Sequence, residues 1–450
     1  MKALPLATSG LNRATFVGCG RAYRRLCRAL AGLSAILVSS ALVLSDSSAF
    51  ETPESPQGTT GTPSYPNLAP TPPMGWNSWL YYGCDVTEKA VLENARALVR
   101  SGLAARGYNT VTIDECWMTT KRDRAGDLVA NPVKFPHGMP FVARRLHEMG
   151  LKFGIYADAG TTTCTKKFPG SVGHFQQDAN LFARWGVDYL KLDGCHVPIA
   201  PSETKEETFH DVYRQMSQAL LNTGRPIVFS VSAPAYFQYD GDSVWRKVIG
   251  WSSDIGNLWR SGRDIASERA APAAKWPSIK YNFDYNSLLA DMQKPGRWND
   301  PDFLLAGNSG LTTEEIQSQM ALWSVMAAPL ISGTDLTKLS PAAFDVLSNR
   351  EVIAVDQDRL GIQGRIVDKG AGFAVLSKPL ANGDRAVALF NSGETERAIT
   401  TSARAVGLPA ARSYLLKDLV TDRVGRVGGT FSARVAPHAT KLFRVRALSY

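Results

Sequence analysis

The stretch VDYLKLDGC, residues 187–195, sets a lysine and an aspartate into an otherwise apolar, strand-like run. Residues two apart in a strand point the same way, so Tyr189, Lys191 and Asp193 share one face while Leu190 and Leu192 occupy the other. An ammonium and a carboxylate are therefore aimed together at the end of the run, just before Gly194 and Cys195.

The same kind of run recurs on both sides. Short apolar segments ending in polar residues or glycine occur at 74–79, 109–117, 152–160, 226–234, 297–305 and 326–333, with a weaker one near 250–258. Helical periodicity fills the gaps at 87–101, 138–149, 175–185 and 206–222, and Thr312 with Glu315 makes a capping-box signature before another helix. Eight strand candidates with helical crossovers predict an α/β fold, a (β/α)8 TIM barrel over residues 71–359. An open doubly wound sheet is the alternative, but no GxGxxG follows the first strand, which argues against a dinucleotide-binding version.

Beyond about residue 360 the period changes to two. GFAVLSKP and RAVALFN flank Asn382-Gly383, a strong hairpin signal, and SYLLKDLVT, GTFSARVAP and TKLFRVRAL read as further strands. Residues 360–450 are therefore expected to form a C-terminal antiparallel β-sandwich.

Composition limits the function classes. The 450 residues are 44% hydrophobic and 20% charged, enough to bury a sizeable core. The net charge of +9 is concentrated in residues 1–50, and no basic block appears elsewhere, so nucleic acid is excluded as a partner. Five arginines precede the uncharged stretch Ala29–Ser45, and Ser47, Ser48 and Ala49 supply small residues for cleavage. Residues 1–49 are read as a signal peptide, in preference to a retained anchor, and 50–70 as a Pro/Ser/Thr-rich linker. Secretion or delivery to a periplasm follows. Outside the leader, Cys84, Cys116, Cys164 and Cys195 form an even set that suggests two disulfides, with three pairings open. No CxxC spacing occurs and there are only six histidines, so neither a metal site nor a cofactor is expected.

In such a barrel the reacting groups sit at the carboxyl ends of the strands. Those ends supply Trp76, Asp114, Glu115, Trp117, Tyr156, Asp158, Lys191, Asp193, Ser232, Tyr236, Trp259, Arg260, Asp264, Trp298, Asp300 and Asp302. Carboxylates and aromatics dominate. Cleavage of a glycosidic bond needs two carboxyl groups, and aromatic faces suit sugar C–H surfaces. Lys191 is expected to hold Asp193 ionised, as a covalent nucleophile requires; the bland reading is a salt bridge at the barrel rim.

TPPMGWNSW, IDECW, FPHGMPFVARRLHEMGLKFGIYADAG, YLKLDGC, NLWR and RWNDPDFLLAGN occur in this order, and with them the chain resembles glycoside hydrolase family 27, the α-galactosidases and α-N-acetylgalactosaminidases. The similarity runs from about residue 71 to 365 and more loosely through the sandwich. It implies a barrel plus sandwich, retention of anomeric configuration and no metal. It makes Asp193 the nucleophile and Asp264, in WRSGRD, the acid/base, with Arg260, Trp76, Asp114, Tyr156, Lys191 and Asp302 as sugar contacts. It also pairs Cys84 with Cys116 and Cys164 with Cys195.

The chain departs from the family pattern in several places. Glu115 stands where galactosidases usually carry a second aspartate, and Phe303 where methionine is common. IASERAAPAAKW after Asp264 lacks the usual DSW, leaving Asp254 as a rival acid. In SVSAPAY, Ser232 and Ala235 replace the Glu and Leu of animal α-galactosidases, and Ala233 replaces a Trp. Small side chains there leave room for an acetamido group, with Tyr236 beside them. Glu115 pulls another way, because its extra methylene narrows the sugar's C6 end and favours a pentopyranose. The expected function is an exo-glycosidase on terminal α-linked galactose-type residues that accepts α-N-acetylgalactosaminides. A β-L-arabinopyranosidase and an inactive glycan-binding barrel are the alternatives. The expected partner is a carbohydrate, and a homodimer is left open.

Overall fold

A computed structural model of the chain describes residues 68–448. The leader and nearly all of the linker lie outside these residues. Eight strands of three to seven residues form one parallel sheet: β1 Met74–Asn77, β2 Thr110–Ile113, β3 Lys152–Asp158, β4 Tyr189–Asp193, β5 Val228–Val231, β6 Leu258–Arg260, β7 Trp298–Asp300 and β8 Leu330–Ser332. Their order is β7-β6-β5-β4-β3-β2-β1-β8. The seam between β7 and β8 is closed by the segment after β7, where Leu304 pairs with Ser332 and its N–H donates to Ile331 O at 2.8 Å. The result is the expected (β/α)8 barrel.

The crossovers are helices whose ends follow from local chemistry. Thr87 caps Glu88–Arg100 by accepting from the Ala90 N–H. Thr312 and Glu315 complete the capping box of Thr313–Met326, and Thr204 with Glu207 builds another before Lys205–Asn222. Helices Gly138–Glu148, Phe175–Trp185 and Pro272–Asn286 complete the covering together with Asp242–Ile255. The last one corrects the weak strand expected near 250–258. Trp245, Val248, Ile249 and Ser252 recur at helical spacing, so the helix runs to Ile255 and only Leu258–Arg260 is strand.

The C-terminal strands are β9 Arg365–Gly370, β10 Phe373–Pro379, β11 Arg385–Asn391, β12 Arg397–Ser402, β13 Ser413–Asp418, β14 Val424–Val427, β15 Thr430–Val435 and β16 Thr440–Leu448. Six make one antiparallel sheet in the order β14-β13-β16-β11-β10-β9, and β12 pairs with β15. Period-two alternation assigns the two faces. Val375, Val387 and Leu389 point into the sandwich core with Ile399 and Phe431, whereas Leu376, Ala388 and Phe390 join the barrel's core. Asn382-Gly383 does turn β10 into β11, with Gly383 at φ 86°.

Candidate active site

Strand register brings the chemistry together. β3 and β4 pair Tyr156 with Lys191 and Asp158 with Asp193, and β6 and β7 pair Arg260 with Asp300. The strand ends open into a small cavity whose polar lining is Asp114, Glu115, Tyr156, Lys191, Asp193, Arg260, Asp264 and Asp302. Trp79, Leu80, Cys164 and Phe303 complete it.

Lys191 does not bond Asp193 as the sequence suggested. Its Nζ donates to Asp114 Oδ2 at 2.9 Å, and Asn77 Nδ2 donates to the same oxygen at 2.7 Å. Burial opposes its charge, but Asp114 and Asp193 together keep Lys191 above the ordinary ammonium range. Asp193 instead accepts from the Tyr236 hydroxyl at 2.5 Å and from the Gly194 N–H at 3.1 Å, both at Oδ1. Burial raises the Asp193 carboxyl above its ordinary range despite Lys191, with Asp264 and Asp114 adding to the rise. The expected depression is thus reversed, because taking a carboxylate out of water outweighs one ammonium held by another partner.

Arg260, at the end of β6, links two of the other carboxylates. One guanidinium nitrogen, Nη2, reaches Asp264 Oδ1 at 3.0 Å and Asp302 Oδ2 at 2.9 Å. The Asp264 side chain is 79% exposed. Although desolvation pulls the other way, Arg260 and Lys191 lower its carboxyl, so the free protein holds it ionised. Asp302 is buried, and burial pushes its carboxyl up to about 6 against the pull of Arg260. Its backbone sits at φ 81°, a strained conformation for a residue with a Cβ. Among the described residues, Arg260 Nε and Asp302 Oδ1 are buried without hydrogen-bond partners. A donor and an acceptor left unpaired beside a cavity suit a polyhydroxylated ligand.

Glu115 is fastened to the loop after β3, its Oε1 accepting from the Thr165 N–H at 2.9 Å and the Thr165 hydroxyl at 2.7 Å. That loop is tied to the end of β4 by the Cys164–Cys195 disulfide, and Cys84–Cys116 ties the ends of β1 and β2. Both implied pairings are therefore present. Asp158, Cys164 and Cys195 lie close enough to ligate a metal, but both sulfurs are in the disulfide and no thiolate is available.

Several residues singled out from sequence lie elsewhere. Trp76 is 0% exposed, donates from Nε1 to Thr334 O at 2.6 Å and does not line the cavity; Trp79 is the tryptophan that does. Ser232, Ala235 and Tyr236 do not line the cavity. Ser232 Oγ is buried with no partner among the described residues, Ala235 is half-buried, and Tyr236 acts on Asp193. The rival acid Asp254 lies on the helix Asp242–Ile255, 75% exposed and 3.8 Å from Arg297, outside the cavity. Asp158 accepts from the N–H groups of Gly160 and Cys195 and from Tyr156, making it a network partner. Asp300 accepts from the Asp302 N–H at 2.8 Å and shapes the rim. The sequence reading missed Trp79, Asn77 and Thr165. Trp79 was visible in MGWNSW, two residues past the strand end, whereas nothing local marked Thr165 as the partner of a glutamate 50 residues away.

A carboxylate-lined cavity at the carboxyl face of a barrel is the site of a glycoside hydrolase, and comparison with known proteins agrees. The sequence profile described as Alpha galactosidase A matches residues 71–358, and that of the alpha galactosidase C-terminal beta sandwich domain matches 370–445. The chain is 42% identical to the probable alpha-galactosidase A of Aspergillus fumigatus, over 86% of this chain and 72% of that one. It is 41% identical to alpha-galactosidase 2 of Arabidopsis thaliana, over 84% and 89%. Among solved structures, alpha-galactosidase I from Mortierella vinacea superposes with a TM-score of 0.77 at 31% identity, covering 86% of this chain and 100% of that one. The chain belongs to the alpha-galactosidase family of glycoside hydrolases.

Proposed function

We propose that the protein hydrolyses terminal α-linked galactose residues with retention. The observation that carries this is that Asp193 and Asp264 line one cavity, beside the unpaired Arg260 Nε and Asp302 Oδ1. Asp193 attacks the anomeric carbon, forming an O–C1 bond as the C1–leaving-group bond breaks. Asp264 delivers its proton to the departing oxygen. It then takes a proton from water as that water attacks C1 and releases Asp193. Such chemistry requires the two carboxyl groups ~5–5.5 Å apart. Asp264 is ionised in the free protein, and the arriving sugar would shield it from water, which favours the protonated form. Asp114, Lys191, Arg260 and Asp302 supply charged hydrogen-bond partners for the sugar hydroxyls.

A second reading adds α-N-acetylgalactosaminides as substrates. The short side chains of Ser232 and Ala235 after β5 support it; because Ser232 does not line the cavity and its hydroxyl is buried, an acetamido carbonyl reaches that donor only if the turn after β5 shifts. The two disulfides fit an oxidising compartment, which supports export with residues 1–49 as the leader; residues 71–359 are proposed as the catalytic barrel and 360–450 as the sandwich. Among the described residues no helix is long and apolar enough to cross a membrane.

The test is a panel of aryl α-galactoside, α-N-acetylgalactosaminide and β-L-arabinopyranoside substrates, run on wild type and Asp193→Ala. Turnover of the galactoside that disappears in the variant supports the proposal. Equal inertness of both proteins, with retained sugar binding, would make the barrel a glycan-binding module.

A further inference from the structure

The aromatic behind the nucleophile is placed to act on the reaction without touching the sugar. Tyr236 lies in the 3-10 turn Ala233–Phe237 after β5, its ring packed on Phe209 with centroids 5.6 Å apart. Its hydroxyl donates to Asp193 Oδ1 at 2.5 Å. The same hydroxyl accepts from the Gly194 N–H at 3.2 Å and lies 3.1 Å from Cys195 Sγ, which is fixed by its disulfide. Gly194 also donates to Asp193 Oδ1, so both donors engage one carboxylate oxygen. Among the described residues, Oδ2 has no hydrogen-bond partner. Nor is there slack around the turn: a Cβ on Gly194 would come within 2.9 Å of the Phe209 ring and the Tyr213 hydroxyl and 3.1 Å of the Tyr236 ring. Tyr236 itself does not line the cavity, whereas Asp193 does.

We infer that Tyr236 is a positioning residue for Asp193: its hydroxyl holds Oδ1, leaves Oδ2 as the attacking oxygen, and stabilises the carboxylate as leaving group when the glycosyl-enzyme breaks down. This rests on the assignment of Asp193 as nucleophile. In the first step Oδ2 bonds C1, the aglycone oxygen leaves with the proton of Asp264, and Oδ1 becomes the carbonyl oxygen of an ester. In the second, water bonds C1, its proton goes to Asp264, the Oδ2–C1 bond breaks and negative charge returns to Oδ1. A hydrogen bond to a charged oxygen is stronger than one to an ester carbonyl. Tyr236 therefore favours the carboxylate over the ester, and its loss slows the second step more than the first. Tyr236 stays a donor throughout, because burial and Asp193 drive its phenol far above the ordinary range. The other charged and titratable groups facing Asp193 are Lys191 on its own strand, Asp114 on β2, Tyr156 and Asp158 on β3, Tyr213 on the helix after β4, and Arg260 and Asp264 at the end of β6. None of them hydrogen-bonds Asp193.

The test is Tyr236→Phe on dinitrophenyl α-galactoside, whose leaving group needs no acid. The expected result is a fall of about tenfold or more in kcat with a parallel fall in KM, and a pre-steady-state burst, as the glycosyl-enzyme accumulates. Labelling of Asp193 by a trinitrophenyl 2-deoxy-2,2-difluoro-α-galactoside, which depends on Asp193 being ionised, should have its acid limb moved about one pH unit upward. Unchanged KM, no burst and an unmoved limb would overturn the inference. Fluorinated tyrosines incorporated at position 236 keep the packing and donate more strongly; they should move the limb downward, and an unmoved limb there overturns it too. Asp193→Ala separates the two claims. If that variant stays active, the nucleophile assignment fails; if it is dead while Tyr236→Phe behaves as wild type, only the role of Tyr236 fails.

Discussion

Glu115→Asp is the substitution through which the sugar's C6 end can be read. The Glu115 carboxylate is buried and fixed by two donors of Thr165, at 2.9 and 2.7 Å. Removing one methylene withdraws it by about 1.5 Å, which puts both donors beyond hydrogen-bonding range. The cavity gains the volume of that methylene, and the loop carrying Cys164 and Thr165 loses its anchor to β2. A methylene in a pocket changes discrimination by ~1–3 kcal/mol, or ~10–200-fold. The ratio of kcat/KM for aryl α-galactoside over β-L-arabinopyranoside should therefore rise about tenfold or more, since only the hexose has a C6 group to fill the space. Thr165→Val is the control. It keeps the length of Glu115 and removes only the hydroxyl donor, so its ratio should change less. The assay is parallel initial-rate kinetics on the two glycosides. A ratio altered by less than about twofold in Glu115→Asp would refute the reasoning, because the extra methylene would then not reach the sugar.

Further outcomes can be checked independently. Asp264→Ala should lose ~10²–10⁴-fold on glycosides with poor leaving groups but far less on dinitrophenyl galactoside, as steady-state kinetics across a leaving-group series will show. Because burial raises the Asp193 carboxyl, labelling by an acid-independent trapping reagent should fail as pH falls through a midpoint above the ordinary ~3.9 of aspartate; a midpoint at or below it contradicts the site's electrostatics. His438 joins sandwich to barrel through Glu315 at 2.8 Å and Glu394 at 3.1 Å, while stacked on Trp276. Burial lowers its affinity for a proton, but the two glutamates outweigh this, and the net shift is upward. Its stabilisation is then complete below the unfolded value of ~6.5 and is lost as pH rises through the folded value, so His438→Gln should lower the melting midpoint more at pH ~5 than at pH ~8.5. Replacing Cys164 and Cys195 together by serine should cost about 2–4 kcal/mol in denaturant unfolding and raise KM, since the loop holding Glu115 then loses its covalent tie to the end of β4.

The barrel was legible because its signals are local. Apolar runs with polar ends, capping residues such as Thr87 and Thr312, and the switch to period two after residue 360 each report one element. The sixth strand was misplaced because a three-residue strand carries almost no periodicity and follows an amphipathic helix that ends at Ile255. β9 and β14 escaped for a related reason: exposed edge strands such as Arg365–Gly370 bury little and show no clear alternation, while β12 alternates in burial but carries a single large apolar residue, Ile399. At the site, the identities of the cavity's carboxylates could be read from strand ends, but their pairings could not. Lys191 lies two residues from Asp193 in sequence yet bonds Asp114 on a different strand, and Asp193 takes its hydrogen bond from Tyr236 after β5. Those pairings depend on barrel register and on which group is most deeply buried, quantities that exist only once the sheet has closed.

The central claim is that Asp193 becomes covalently bonded to the sugar. Peptide mass mapping after inactivation with the trinitrophenyl 2-deoxy-2,2-difluoro-α-galactoside addresses it directly. The label is predicted on Asp193, in the peptide containing YLKLDGC, with one sugar per chain and none in Asp193→Ala. A label on Asp158, Asp264 or Asp302, or steady hydrolysis of galactosides with inverted products and no covalent label, would contradict it.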